Sequence, residues 1–157
     1  MANFDFAFNK LLKFEGGYVD DKDDKGGETK YGISKNAYQN IDIENLTRQD
    51  AMKIYKRDYW DKIKGEQIKN QRVAEYLFDM AVNMGVGSAS KIVQEIVGVK
   101  VDGIVGRKTL NAINSYNPDM LIAEMRLKRI QRYINIVESK KTNKKFLLGW
   151  IKRALKV

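Results

Sequence analysis

The chain contains no cysteine and no histidine among its 157 residues. Without cysteine there are no disulfides, thiolate metal sites or cysteine nucleophiles. Without histidine there is no Ser-His-Asp triad, no Cys-His peptidase chemistry and no histidine-bearing zinc site. Carboxylates are what remains for catalysis, and glycoside hydrolysis needs only carboxylates. No metal or other cofactor is expected. There is one proline, Pro118. No apolar run approaches the ~18 residues of a membrane span, so no transmembrane segment is expected. The opening residues Met1-Ala2-Asn3-Phe4-Asp5 do not pair a basic region with an apolar stretch, so no signal peptide is expected.

What is present is unevenly charged. Residues 1–80 hold 14 Lys+Arg and 15 Asp+Glu, a net of −1, whereas residues 81–157 hold 15 and 5, a net of +10, giving the overall +9. Such a basic half favours a polyanionic partner. A chain of this length forms one domain or two packed lobes and buries about two thirds of its unfolded surface. The chain shows no repeat, linker or low-complexity segment, and a monomer is expected.

Helical periodicity dominates. Phe4, Phe8, Leu11 and Leu12 recur at i, i+4, i+7 and i+8 and predict a first helix from Phe4 to Glu15. Ser34 predicts an N-cap for a short helix over 35–40. Thr47-Arg-Gln-Asp50 approximates a capping box, opening a helix that ends at Tyr59-Trp60. Ala74, Leu77, Phe78, Ala81 and Val82 predict a buried helix, and Ser88 the cap of the next, stopped by Gly98. Asp102-Gly103 marks a turn into a helix at 107–116. Asn117-Pro118 starts a long helix to Ser139, with Leu121, Met125, Leu127, Ile130, Ile134 and Val137 inside and Arg126, Arg129 and Arg132 on one face. A last helix buries Leu147, Trp150, Ile151, Ala154 and Leu155.

Glu15 continues the apolar stripe of the first helix, where a carboxylate is costly. Gly16-Gly17 stops the helix immediately. A buried acid at a helix C-terminus faces desolvation and the negative end of the dipole, and both raise its pKa. An acid that stays protonated near neutrality serves as a general acid. The loop that follows carries Asp20, Asp21, Asp23, Asp24 and Glu28, and Thr29, Tyr31 and Ile33 alternate in a short ribbon. The Tyr59-Trp60 pair suits either a sugar platform or the core. Asp79 and Asn83 share one helix edge, either near a cleft or bonded to a loop.

The run Glu15-Gly16-Gly17-Tyr18, then Asp24, then Gly26-Gly27-Glu28-Thr29-Lys30-Tyr31-Gly32-Ile33 resembles the glycoside hydrolase family 108 lysozymes. Asp79-Met80-Ala81-Val82-Asn83-Met84-Gly85 is similar to that family's mid-chain helix. Val101-Asp102-Gly103-Ile104-Val105-Gly106, with Thr109-Leu110, is similar to its C-terminal predicted peptidoglycan-binding region, with Arg107 where proline is common. The stretch from Phe146 to Arg153 also fits, so the resemblance spans nearly the whole chain. Phage lysozymes offer a looser likeness. Glu15 and Asp24 keep their eight-residue gap, with Thr29 one residue closer than in that pattern.

The resemblance implies a mainly α, lysozyme-like, two-lobed fold with a small β ribbon beside an open cleft. Residues 1–84 would form the glycosidase lobe and residues 85–157 a basic lobe, packed as one unit. The implied activity is cleavage of the β-1,4 bond between N-acetylmuramic acid and N-acetylglucosamine in peptidoglycan, without a cofactor. Glu15 is then the catalytic acid, Asp24 the candidate second carboxylate with Asp20, Asp21 and Asp23 as rivals, and Thr29 the residue orienting a water. Tyr18, Tyr31, Tyr59, Trp60, Asp79 and Asn83 are the expected substrate contacts. Such an enzyme, made in the cytoplasm, would act on the wall after export or holin-type release. An anionic wall polymer is the further partner expected for the basic half, and nucleic acid is not expected. The rival reading is a non-catalytic basic module that binds wall or nucleic acid through Arg126, Arg129, Arg132 and Tyr133. It leaves the buried register of Glu15 unexplained.

Overall fold

The computed structural model describes residues 1–13 and 29–157. Glu15, Asp24, Tyr18 and the rival carboxylates Asp20, Asp21 and Asp23 therefore lie outside the described residues. Among the described residues, seven α-helices accompany one two-stranded antiparallel ribbon. The elements are α1 (Phe4–Leu12), β1 (Thr29–Lys30), β2 (Ile33–Ser34), α2 (Arg48–Tyr55), α3 (Gln71–Met84), α4 (Val86–Ile96), α5 (Arg107–Ser115), α6 (Pro118–Ser139) and α7 (Lys144–Lys156). α3 lies at the centre, touching α1, α4 and α6, while α7 packs on α6.

The first helix buries Phe4, Phe8 and Leu11 of the predicted stripe together with Ala7, leaves Leu12 half-buried and exposes Phe6. Asn3 caps it by accepting from the Phe6 amide at 3.2 Å. The Asn3 amide and carbonyl both meet the Gln71 side chain, at 2.6 and 3.0 Å, so the start of α1 is tied to the start of α3. Thr47 and Asp50 form the expected capping box of α2. Past Tyr55 the helix widens into one π turn, Lys56–Trp60, closed by the Asp61 amide on the Lys56 carbonyl at 2.8 Å. That turn ends where the sequence places the helix end and delivers Trp60 into an aromatic cluster. Its ring is 5.5 Å from both Phe4 and Phe78, and edge-on to the latter.

Gly98 ends α4 in the left-handed region, φ 70°, and the Val99 amide reaches back to the Gln94 carbonyl at 3.1 Å, a Schellman closure. The Gln94 side chain, itself buried, then holds the following turn. Its amide donates to Asp102, the Ile104 carbonyl and Thr109, and its oxygen accepts from the Gly103 amide at 2.8 Å. Asn117 caps α6 with Pro118 in its first turn, and α6 ends at Ser139 as the pattern predicts.

Four expectations are corrected. Residues 35–37 form turns and not a helix. The Ser34 hydroxyl accepts from the Ala37 amide, and Lys35 ties to the Ile41 carbonyl, so local side-chain bonds replace the helical ladder. α4 starts at Val86 with Gly85 as its cap, and Ser88 sits inside the first turn, accepting from Arg132. On α6 the buried stripe is Leu121, Met125, Arg129 and Tyr133, four apart, so Arg129 points inward and Leu127 is 68% exposed. The three arginines therefore do not share a solvent face. Of the apolar set assigned to α7 only Ala154 is buried, because the helix meets its neighbours along a narrow line.

Gly65 opens the 3₁₀ turn Gly65–Gln67 directly against the Trp60 ring. A Cβ placed there would stand 2.3 Å from Cδ2 and Cε2 of that ring. Trp60 is fully buried and cannot step aside. Overpacking costs about 1–3 kcal/mol, more than the ~0.4–1 kcal/mol that alanine gains by restricting the unfolded chain. Gly65→Ala is expected to lower stability by about 1–2 kcal/mol in urea unfolding, and an unchanged midpoint would contradict this packing.

Candidate functional site

The ribbon is a tight hairpin in which Lys30 faces Ile33 and Thr29 faces Ser34. Its two loop residues, Tyr31 and Gly32, both have positive φ, 53° and 76°, the pattern of a type I′ turn. A tyrosine in this region costs about 1–2 kcal/mol. The Tyr55 hydroxyl helps to hold it there, donating to the Tyr31 carbonyl at 3.0 Å. The ribbon thereby leans on α2.

Beside the hairpin lies a pocket of about 210 Å³. Gly32 and Ile33 form one side, Tyr38 and Tyr59 another, and Asn83 and Arg153 the far wall. A larger hollow of about 820 Å³, around Met1, Met52 and Glu66, lies elsewhere and shares none of these residues. We place the site at the smaller pocket, where tyrosines, an amide and a guanidinium converge next to the ribbon. In the wall, the Tyr38 hydroxyl donates to Asp58 at 2.9 Å, and Arg57 grips both Asp58 oxygens at 2.6 Å. The Arg57 hydrogen bonds, opposed in part by burial and aided by Tyr38, hold the Asp58 carboxyl below the usual carboxylate range. Its contribution is present above the ordinary carboxylate pKa and is lost only as acid protonates it. Burial, then the bond to Asp58, pushes the Tyr38 hydroxyl far above the usual tyrosine range, so it remains a donor.

The far wall is fixed from behind. Asp79, 3% exposed, receives Nε and Nη2 of Arg153 at 3.0 and 2.8 Å. Nη1 of Arg129 stands 2.7 Å from its other oxygen, close enough for a charge contact but off the direction of an aligned hydrogen bond. The Arg129 guanidinium lies over the rings of Tyr76 and Tyr133, 5.7 Å from each centroid. Burial alone would lower the Arg129 pKa, but the Asp79 charge and the tyrosine oxygens outweigh it and raise it. Arg129 Nε donates to the Tyr133 hydroxyl at 2.6 Å, which in turn donates to Asn83 Oδ1. The Tyr76 hydroxyl donates to the Ala154 carbonyl at 3.1 Å. The two residues of the far wall thus belong to one network spanning α3, α6 and α7.

Of the expected site residues, Tyr59 and Asn83 line the pocket. Thr29 stands at the start of the ribbon, half-buried. Tyr31 is in the hairpin turn, packed against the core and not among the pocket's walls. Trp60 is fully buried among Phe4 and Phe78, which corrects its assignment as a sugar contact. Tyr59 is its immediate neighbour in the π turn, and the Tyr59 ring lies beside Tyr55 at the edge of the core, where it also lines the pocket. Asp79 is corrected likewise: it lies behind the pocket and orients Arg153 there. Arg153 and Tyr38 were not anticipated. Among the described residues no three acidic side chains gather as a metal would require.

Residues 8–85 match the family model described as Glycosyl hydrolase 108. Over its length the chain is also similar to a solved structure, SagA of Brucella abortus, with 31% identity. The alignment covers 98% of this chain and 90% of that one, with a TM-score of 0.82. The chain belongs to the glycosyl hydrolase 108 family. Residues 88–155 match a second model, described as Predicted Peptidoglycan domain, so the two matches meet at the α3–α4 junction. Among curated proteins none matches. The fold is the mainly α, lysozyme-like fold expected, and Arg153 brings the peptidoglycan-domain segment to the pocket of the glycosyl hydrolase segment.

Removing one partner of a buried ion pair costs about 3–5 kcal/mol, because the other charge is stranded. Arg129→Met leaves Asp79 still paired with Arg153, so a loss of about 3 kcal/mol is expected. Tyr133→Phe removes one hydroxyl and should cost only about 1 kcal/mol. Urea unfolding of both variants checks the order, and a Tyr133→Phe loss equal to that of Arg129→Met would contradict this network.

Proposed function

We propose that this glycosyl hydrolase 108 member cleaves peptidoglycan at the β-1,4 bond between N-acetylmuramic acid and N-acetylglucosamine. The observation that carries the reading is the pair of family matches, glycosyl hydrolase 108 over residues 8–85 and peptidoglycan domain over 88–155. Residues 1–84 carry the chemistry in this reading, and residues 85–157 hold the wall and complete the pocket. Glu15, in the Glu-Gly-Gly motif, protonates the leaving glycosidic oxygen. Asp24 places a water or stabilises the oxocarbenium-like state. Thr29, at the start of the ribbon, orients that water. Tyr59 offers a ring face to a sugar, while Asn83 and Arg153 supply hydrogen bonds to acetamido or carboxylate groups of the glycan. N-acetylmuramic acid carries a lactyl group whose carboxylate, free or in peptide linkage, suits a guanidinium wall.

Two variants test the roles. Glu15→Gln keeps the size and loses the proton, so lysis of purified walls should fall by about 10²–10⁴. A Glu15→Gln protein of unchanged activity would overturn the mechanism. Asp24→Asn should lose far more activity than Asp20→Asn, Asp21→Asn or Asp23→Asn. A near-normal Asp24→Asn would move the water-holding role to polar groups such as Asn83 or Thr29. Reducing-end analysis of the released fragments distinguishes muramic acid from glucosamine termini, and glucosamine termini would contradict the bond assigned.

A further inference from the structure

We propose that α7 is an interfacial helix that docks the protein on an anionic lipid bilayer. The helix carries two kinds of exposed residue in register. Leu148 and Leu155, 63% and 54% exposed, lie seven residues apart on one flank, with half-buried Ile151 between them. At i, i+3 and i+7 these three aliphatic side chains form one continuous strip along two turns. Lys144 heads the strip four residues before Leu148, and Lys145, Lys152 and Lys156 form the adjoining ridge, all exposed. Lys140 and Lys141 continue the charge through the connector, also exposed. From Ser139 to Val157 there is no Asp or Glu.

Singly scattered exposed leucines need no explanation. Here two lie in helical register beside exposed lysines and no acid, a composition suited to the headgroup boundary of an anionic membrane. An anionic wall polymer would answer the lysines alone. The aliphatic strip makes a demand that a glycan or polyphosphate does not meet, whereas the acyl boundary of a bilayer meets both. At 13 residues, α7 is about 20 Å long, too short for the ~30 Å hydrocarbon core. Among the described residues no helix is long and apolar enough to cross a membrane. α7 would therefore lie on the surface. The geometry also keeps the pocket clear. Arg153, which lines it, is about 140° round the helix from Leu148 and about 160° from Leu155. A bilayer under the leucine strip leaves the Arg153 side facing away.

The test is co-sedimentation of the full chain with vesicles of phosphatidylglycerol and phosphatidylcholine, or of phosphatidylcholine alone, at roughly 0.05 and 0.5 M salt. Binding is expected on the anionic vesicles, weakened severalfold or more at high salt, and absent on the neutral ones. Leu148→Ser with Leu155→Ser should weaken vesicle binding by about tenfold or more, while lysis of isolated walls stays unchanged. Lys144→Gln, Lys145→Gln and Lys152→Gln together should weaken binding severalfold and flatten the salt response. If the serine pair lowers the melting temperature, the pair Leu148→Gln and Leu155→Gln, with better helix propensity, is read instead. Equal vesicle affinity in the leucine variants would overturn the proposal. So would binding confined to an isolated anionic wall polymer, or no binding to anionic vesicles at all.

Discussion

Asp79 is a carboxylate with almost no access to water. Left unpaired in that position it would be intolerable, so the fold must bring cations to it. They come from the far end of the chain: Arg129 on α6 and Arg153 on α7. Pairing Asp79 therefore fixes how the C-terminal helices return onto α3. The same contacts orient Arg153 in the pocket, and through Tyr133 they hold Asn83. Hydrophobic burial brings α3, α4 and α6 together, but it is non-directional. The ion pair and its tyrosines give that packing its register, because a misaligned helix would strand a charge.

The aromatic core has a comparable effect on the opposite wall. Phe4, Trp60 and Phe78 pack as tilted and edge-on rings, and Tyr55 joins them from α2. Tyr55 serves twice, since its ring fills the core and its hydroxyl holds the hairpin carbonyl. The π turn after it carries both Tyr59 and Trp60: Trp60 is buried in the core, while Tyr59 packs beside Tyr55 at the edge of the core and lines the pocket. π turns are rare and are often found at functional sites. Gly65 is part of the same construction, because nothing larger fits against the Trp60 ring.

Charge is partitioned along the chain and also across the surface. The acidic residues of the first half are drawn partly into local bonds, such as Arg57–Asp58 and Lys56 with Asp61 and Glu66. The lysines of the last helix have no acidic neighbour in sequence to neutralise them. A basic face of this kind acts over a Debye length of about 8 Å at physiological salt. Arg153, the one α7 residue that lines the pocket, lies instead on the side of the helix that faces Asp79.

Local rules were sufficient for much of this molecule. The stripe of α1, the capping box at Thr47, the Asn117-Pro118 start and the Gly98 stop were all legible, because each depends on residues within a few positions of one another. The absence of histidine and cysteine, and the Glu15 motif, led to carboxylate chemistry and to the family. The short helix expected after Ser34 failed because side-chain bonds to nearby backbone competed successfully with the helical ladder. Trp60 and Tyr59 could not be separated from the sequence, since two adjacent aromatic residues suit core or pocket alike until the packing around them is known. Arg129 had a readable signal, its place four residues after Met125 and four before Tyr133 on a buried stripe. Its partner did not, because Asp79 is fifty residues away and the pairing exists only once α6 lies on α3. Arg153 looked like one more surface cation of a lysine-rich helix. The sequence determined most of the helices and the family to which the chain belongs, but left Asp79 as one polar residue on a helix edge. Only the tertiary structure decided that Asp79 is buried, that Arg129 and Arg153 pair with it and that Arg153 lines the pocket, because pairing across such separations follows from packing that no local pattern encodes.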